Sequence, residues 1–362
     1  MIYLDANATE PVRPEAYEAT RAAMALANPY AIHAMGRAAR RVLEDARDAV
    51  ARCLNAKPAD VIFCSGATEA NLLAMHALGE GQRILVGATE HDSVLGAVAG
   101  VGIIPVLRDG TVDLAGLEAL LIAEPGALVC LMAANNETGV LHDIAAAAAV
   151  CARHGALLHV DAVQAVGRCK QDWLGMGAAS VVVSGHKAGG PMGAGALVVS
   201  AGREIKADLR GGGQEMGRRG GTPALPAIAG MAAALGGAYD AVKIAMYRDE
   251  IEAFCAGVGA VAMGAGAARM ANTMCLALPG VKAQMQVIAL DMAGFAVSAG
   301  AACSSGKVVE SHVLLAMGAG ELAGQAIRVS LPWNVSADVV PAFCNAYEAM
   351  AERALHGRAR CA

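Results

Sequence analysis

Aromatic side chains are scarce in this chain, where phenylalanine, tyrosine and tryptophan together make up 3% of 362 residues. Ring stacking cannot organise the interior, although 56% of the residues are hydrophobic, mostly Ala, Val, Leu and Met. A core of small side chains with close backbone approach follows. Also missing is any long run of one charge. Acids and bases are interspersed and sum to −5, without the basic footprint of a nucleic-acid binder. No Cys-x-x-Cys pair occurs among the ten cysteines, which argues against a zinc ribbon or redox dithiol, and no metal site is expected. The first residues, Met1-Ile2-Tyr3-Leu4-Asp5, lack the basic start and apolar stretch of a secretory signal. A cytoplasmic location with mostly free, buried thiols is therefore expected. One uncharged stretch, residues 220–239, is long enough in principle to cross a bilayer. It holds two prolines and five glycines, and reads as a core helix after a loop rather than a membrane span.

What is present is a rhythm. From about residue 60, short β-branched runs at 61–64, 83–86, 103–107, 128–132, 157–160, 180–183 and 196–199 read as strands. Helical patterns separate many of them, notably 114–122 and 143–153. Such alternation predicts an α/β fold with a largely parallel sheet. After about residue 238 the rhythm changes, with a helix at 239–254, strand-like runs at 272–278, 295–298 and 326–331, and a closing helix at 337–355. A chain of this length exceeds what one core usually organises, so a second, smaller α/β domain is expected there.

Three places could carry chemistry. In Ser184-Gly185-His186-Lys187, a lysine follows a buried apolar strand and precedes glycines. A lysine at a strand end in a cleft can have its pKa lowered and form a Schiff base with an aldehyde. In His159-Val160-Asp161-Ala162-Val163-Gln164, another apolar strand ends in an acid. Ligands of open α/β sheets sit beyond the carboxyl ends of strands, and an aspartate there can hold a protonated pyridine nitrogen; alone, it reads equally as a helix N-cap. Ser65-Gly66-Ala67-Thr68-Glu69 lies between strand and helix. Exposed N–H groups at such a helix start suit a phosphate, though the same pattern also serves simple capping.

With these motifs the chain resembles the cysteine desulfurases, the NifS-like group among the class V aminotransferases of the fold-type I pyridoxal-phosphate enzymes. The resemblance runs nearly end to end. It begins at Tyr3-Leu4-Asp5-Ala6-Asn7-Ala8-Thr9 and includes Glu90-His91, Asn135-Asn136-Glu137-Thr138-Gly139 and Gly211-Gly212-Gly213-Gln214-Glu215. It closes at Ser298-Ala299-Gly300-Ala301-Ala302-Cys303-Ser304-Ser305-Gly306 and Ile327-Arg328-Val329-Ser330-Leu331. It implies a large pyridoxal-phosphate-binding domain at 16–238, a small domain at 239–362 carrying the Cys303 loop, and a segment 1–15 packed with the small domain.

The resemblance also implies roles. Lys187 would hold pyridoxal 5′-phosphate and later move protons. Asp161 would pair with the pyridine nitrogen and Gln164 with the phenolic oxygen. Thr68, Ser184 and His186 would bind the phosphate, with a backbone N–H from Ala67, while Thr222 would reach the phosphate of the neighbouring subunit in a homodimer. His91 would stack on the ring and act as acid or base, as imidazole can near neutral pH. Asn136 and Arg328 would hold the substrate carboxylate, the arginine through two parallel N–H bonds. Cys303, in a loop of small residues, is the cysteine suited to attack, because a thiolate needs access as well as a favourable pKa. The implied reaction takes sulfur from L-cysteine onto Cys303 and leaves alanine, for delivery to an acceptor such as an iron–sulfur scaffold. Two positions depart from the family pattern: Met192 stands where lysine is common, and Gly220 where serine is common. A selenocysteine lyase or another class V aminotransferase-like enzyme stays open as an alternative, as does a catalytically idle scaffold subunit.

Overall fold

Runs of β-branched and aliphatic residues become strands along most of the chain. The computed structural model describes residues 1–300 and 310–359. In chain order its strands are β1 (Ile2–Tyr3), β2 (Val61–Cys64), β3 (Ile84–Gly87), β4 (Gly102–Ile104), β5 (Leu128–Met132), β6 (Leu157–Asp161), β7 (Ser180–Ser184), β8 (Gly195–Val199), β9 (Val261–Ala262), β10 (Thr273–Ala277), β11 (Phe295–Ala296), β12 (Ser298–Ala299) and β13 (Ala326–Ser330).

Seven of them form one sheet in the order β2-β8-β7-β6-β5-β3-β4. Its pairs are parallel from β7 through β4, and only β8 runs against its neighbours. Helices cover both faces, so the strands can be apolar at every position rather than at alternate ones. Val61 and Phe63 of β2 enter one core, and Ile62 and Cys64 the other. The first core lies under helices Ala34–Cys53, Leu114–Ala123, Ile144–Arg153 and Leu225–Leu235, and the second under Ala67–Leu78. Asp113 and Asp143 cap two of these helices, each accepting backbone N–H bonds in the first turn. The uncharged stretch at 220–239 yields the buried helix Leu225–Leu235, and no described helix is long and apolar enough to cross a membrane.

A second sheet, β12-β13-β10-β9, is antiparallel throughout. It packs with helices Ala241–Gly257, Ala283–Met292 and Val339–Ala359 around a separate core that includes Leu276, Ile327, Phe343 and Tyr347. Residues 2–10 tie the two sheets together. β1 pairs with β11, Asp5 bridges to Ser330, and Leu4 is buried in the second core. Glu10 then pairs with Arg168 at 2.5 Å beside the first.

Three features differ from the sequence reading. The run at 103–107 ends as a strand at Ile104, because Pro105 has no N–H to continue the ladder. The run at 295–298 is two strands: β11 joins β1, and β12 crosses to β13. Helices Pro14–Ala23 and Ala34–Cys53 were not anticipated. The second has a legible apolar face at Ala39, Leu43, Ala46 and Val50, spaced for one side of a helix.

Candidate active site

The carboxyl ends of β5, β6 and β7 and the start of helix Ala67–Leu78 surround a cavity of about 510 Å³. Its position is that of ligand sites in open α/β sheets, and its size suits a small cofactor. Ala67, Thr68, His91, Asn136, Asp161, Gln164, Ser184, His186, Lys187 and Arg328 all line it. The structure thus brings together ten of the residues singled out from sequence. Thr222 does not line the cavity and its side chain is exposed. Cys303 lies outside the described residues.

The helix start is built to leave N–H groups free. Gly66 occupies the cap position without a side-chain bond. Glu69 reaches back to the Ser65 N–H at 2.8 Å and hydroxyl at 2.5 Å, and its other oxygen takes Arg219 at 2.7 Å. A helix begun this way presents unpaired donors and a positive dipole end. β8 passes close behind: a Cβ on Gly195 would stand 2.7 Å from the Gly66 carbonyl carbon, so only glycine fits.

Lys187 ends the short turn Gly185–Lys187 that follows β7. Its amine donates to the backbone carbonyls of Asn7 at 2.6 Å and Ala8 at 2.9 Å. Burial, reinforced by the Arg328 and Arg168 guanidiniums, lowers its pKa to about 8. His186 contacts the Thr9 hydroxyl at 3.1 Å, and burial brings its imidazole down to about 4.

Asp161, the last residue of β6, is 6% exposed. Its carboxylate accepts from Asn71 Nδ2 at 2.9 Å and the Val163 N–H at 3.0 Å. Gln164 donates to the Asn7 carbonyl at 3.0 Å and accepts from Arg168 at 2.8 Å. Arg328, reaching in from β13, donates to Asp5 Oδ1 at 2.7 Å and the Asn136 carbonyl at 3.1 Å. Its buried Nε has no hydrogen-bond partner among the described residues. His91 caps the helix Asp92–Leu95, with Nδ1 accepting from the Ser93 N–H at 3.0 Å.

Sequence reasoning missed the supports of these groups. Asn7, 1% exposed, links the second sheet to the segment after β6: it donates to Thr273 at 2.8 Å and accepts from Arg168 at 3.0 Å and Asn272 at 3.1 Å. Asn71 is enclosed behind Asp161. Both lie in or beside motifs already marked, but nothing in their residue type announces a long-range partner.

The donor set fits pyridoxal 5′-phosphate. An amine with a lowered pKa suits its aldehyde, a fixed buried carboxylate suits its ring nitrogen, and a helix start flanked by Ser184 and His186 suits its phosphate. Arg328, whose guanidinium reaches the lining, suits a carboxylate brought by a substrate. Among the described residues no group of three or more His, Cys, Asp or Glu is arranged to hold a metal ion.

Fold and donor set together define a pyridoxal-phosphate enzyme of fold type I. The chain belongs to the class-V aminotransferase family, whose model matches residues 2–343, and within it to the NifS-like cysteine desulfurases. It is 35% identical to an IscS-like cysteine desulfurase of Mycobacterium tuberculosis, covering 94% of this chain and 93% of that protein. Against a cysteine desulfurase of Cereibacter sphaeroides it is 38% identical, with 93% and 92% covered. Among solved structures, a NifS-like protein from Rickettsia africae superposes with a TM-score of 0.90 at 32% identity, covering 97% of this chain and 99% of that one. The protein SspA, solved in complex with cysteine, gives 0.81 at 26% identity, with 92% and 99% covered.

Proposed function

We propose that this protein is a cysteine desulfurase, converting L-cysteine to L-alanine while its sulfur passes to Cys303. The observation that carries the reading is the cavity itself, where Lys187, Asp161, His91 and Arg328 converge although they come from separate parts of the chain. Bound there, pyridoxal phosphate supplies an electron sink for the substrate α-carbon. Asp161 would face the pyridine nitrogen and favour its protonated form, and Gln164 would bond the phenolic oxygen. Thr68, Ser184, His186 and the Ala67 N–H hold the phosphate, and Thr222 reaches the phosphate site of the partner in a homodimer. Arg328 and Asn136 hold the substrate carboxylate. Lys187 carries a proton to and from the α-carbon, which its lowered pKa permits near neutrality. His91 exchanges a proton with the substrate thiol. The Cys303 thiolate attacks the substrate sulfur: an S–S bond forms, the Cβ–S bond breaks, and protonation of the carbon skeleton completes alanine. The persulfide keeps all the sulfur, so atoms and electrons balance without an added oxidant.

Several further readings belong to this proposal. The chain works as a 1–15 segment, a 16–238 cofactor domain and a 239–362 domain that carries the Cys303 loop. The acceptor is another protein, such as an iron–sulfur scaffold, and the location is the cytoplasm. In keeping with a specialised role for Cys303, burial raises the thiol pKa of Cys64 to about 12 and of Cys151 and Cys344 to about 11. None of the described cysteines lines the cavity, and raised, enclosed thiols make poor nucleophiles.

The test is release of alanine and sulfide from L-cysteine with a reductant present. Wild type is expected to release the two equally, and Cys303→Ala to lose both while keeping its yellow colour. Full activity in Cys303→Ala would overturn the assignment of the sulfur acceptor. Strong preference for selenocysteine would favour a lyase instead.

A further inference from the structure

From the cavity lining at His91, Ser93 and Asp161 back into the core, polar side chains of helix Ala67–Leu78, helix Asp92–Leu95 and its cap, β6 and β7 form one continuous hydrogen-bonded chain. Asn71, fully buried, is at its centre. Its amide nitrogen donates to Asp161 Oδ2 at 2.9 Å and to Ser93 Oγ at 3.0 Å. Its amide oxygen can only accept, so His159 Nε2, 3.1 Å away, carries a proton. His159 Nδ1 then accepts from the Ser180 hydroxyl at 2.7 Å. Burial pushes the His159 imidazole down to about 4, so it holds a single proton at neutral pH. At the other end, the Ser93 backbone N–H that reaches His91 Nδ1 makes that nitrogen an acceptor, so the Ser93 hydroxyl, 3.0 Å from it, donates to it as well while accepting from Asn71. Flipping the Asn71 amide would set its oxygen against the Asp161 carboxylate, so the direction of every bond in the chain is fixed.

We propose that Asn71 is a positioning residue that serves His91 and Asp161 at once. Through Ser93 it holds neutral His91 with Nδ1 bare and Nε2 protonated, and directly it orients the Asp161 carboxylate. His159 and Ser180 lock the amide that does both. With the ring neutral, His91 thereby presents Nε2–H to the cavity as an oriented hydrogen-bond donor, and its geometry is coupled to the group facing the cofactor nitrogen. This rests on the roles given to His91 and Asp161 under the proposed function.

Histidine ring nitrogens, observed by ¹⁵N resonance in the full-length protein, tell a protonated nitrogen from a bare one. The His91 signal is assigned by its loss in His91→Gln. In wild type, with the ring neutral, Nε2 is expected protonated and Nδ1 bare. Asn71→Ala and Ser93→Ala should both convert this to a mixture, and Ser93→Thr, which keeps the hydroxyl, should restore it. Asn71→Ala in the cofactor-loaded enzyme should lower kcat on the order of ten- to a hundredfold, within what acid–base groups contribute. KM for L-cysteine should stay within about twofold, since Arg328 is outside the chain of bonds. An Nδ1-protonated His91 in wild type, or an unchanged tautomer in both alanine variants, overturns the proposal. If Asn71→Ala does not fold, Ser93→Ala at the less buried end decides the matter alone. Failure of the underlying reading looks different: His91→Gln would keep full desulfuration while the tautomer result stood.

Discussion

Lys187 is asked to be an amine in a place that resists an ammonium. Two guanidiniums, Arg328 and Arg168, oppose its charge, the Asp5 and Asp161 carboxylates favour it more weakly, and among the described residues its amine bonds only to two backbone carbonyls. Desolvation is the larger cause and the arginines add to it, which brings the pKa from 10.5 to about 8. The folded value lies below the unfolded one, so the unfolded chain binds more protons between them. The stability linked to this residue is therefore full above about pH 10.5 and is lost as pH falls through about 8. Urea midpoints of the cofactor-free protein, compared with Lys187→Met, should show a difference that shifts in favour of wild type as pH rises through that window. A difference that stays constant with pH would mean the amine is well hydrated. Asn7 matters to the same chemistry without touching it through its own side chain, because its carbonyl is the acceptor that Lys187 and Gln164 share.

At the level of elements, the helix start at Gly66 depends on the strand behind it. An added methyl on Gly195 meets backbone atoms of Gly66 and Val183, which cannot rotate away as a side chain would. Gly195→Ala is expected to cost about 1–3 kcal/mol through overpacking and to displace the Ala67 and Thr68 N–H groups. Pyridoxal-phosphate affinity, followed by absorbance on titration, should fall about tenfold or more, each tenfold step being about 1.4 kcal/mol. Unchanged affinity would show that the helix start does not hold the phosphate. Elements of the central sheet were readable because both faces are covered and the strands are apolar without interruption. The split at Val297 was not, because no glycine or proline marks the residue where the chain leaves β1 and joins β13. The cavity lining was readable because lysine, aspartate and histidine at strand ends are conspicuous. Asn7, Asn71 and Arg168 were not, since their importance lies in partners far away in the chain.

Among the described residues, three histidines inside or beside the larger core have pKa values lowered by burial. His142, His159 and His186 are each brought from 6.5 to about 4, with burial the leading cause. Their folded values lie below the unfolded ones, so their contribution is complete above about pH 6.5 and is lost as pH falls through 4. Glu90 opposes them, because burial raises its carboxyl well above the ordinary value. Calorimetry should find a Tm that declines as pH falls through this interval, and His142→Leu should flatten the decline. An equal slope in that variant would mean His142 is reached by water despite its enclosure. A different consequence follows from residues 5–8. Asn7 bonds to Ser330, 323 positions away, while Asp5 takes Arg328 and the carbonyls of Asn7 and Ala8 take Lys187. These residues leave the ribosome long before their partners on β13 exist. The nascent chain can close its first core, yet the lysine and the arginine cannot both be seated until β13 has been made, so the pocket cannot exist until Arg328 has left the ribosome.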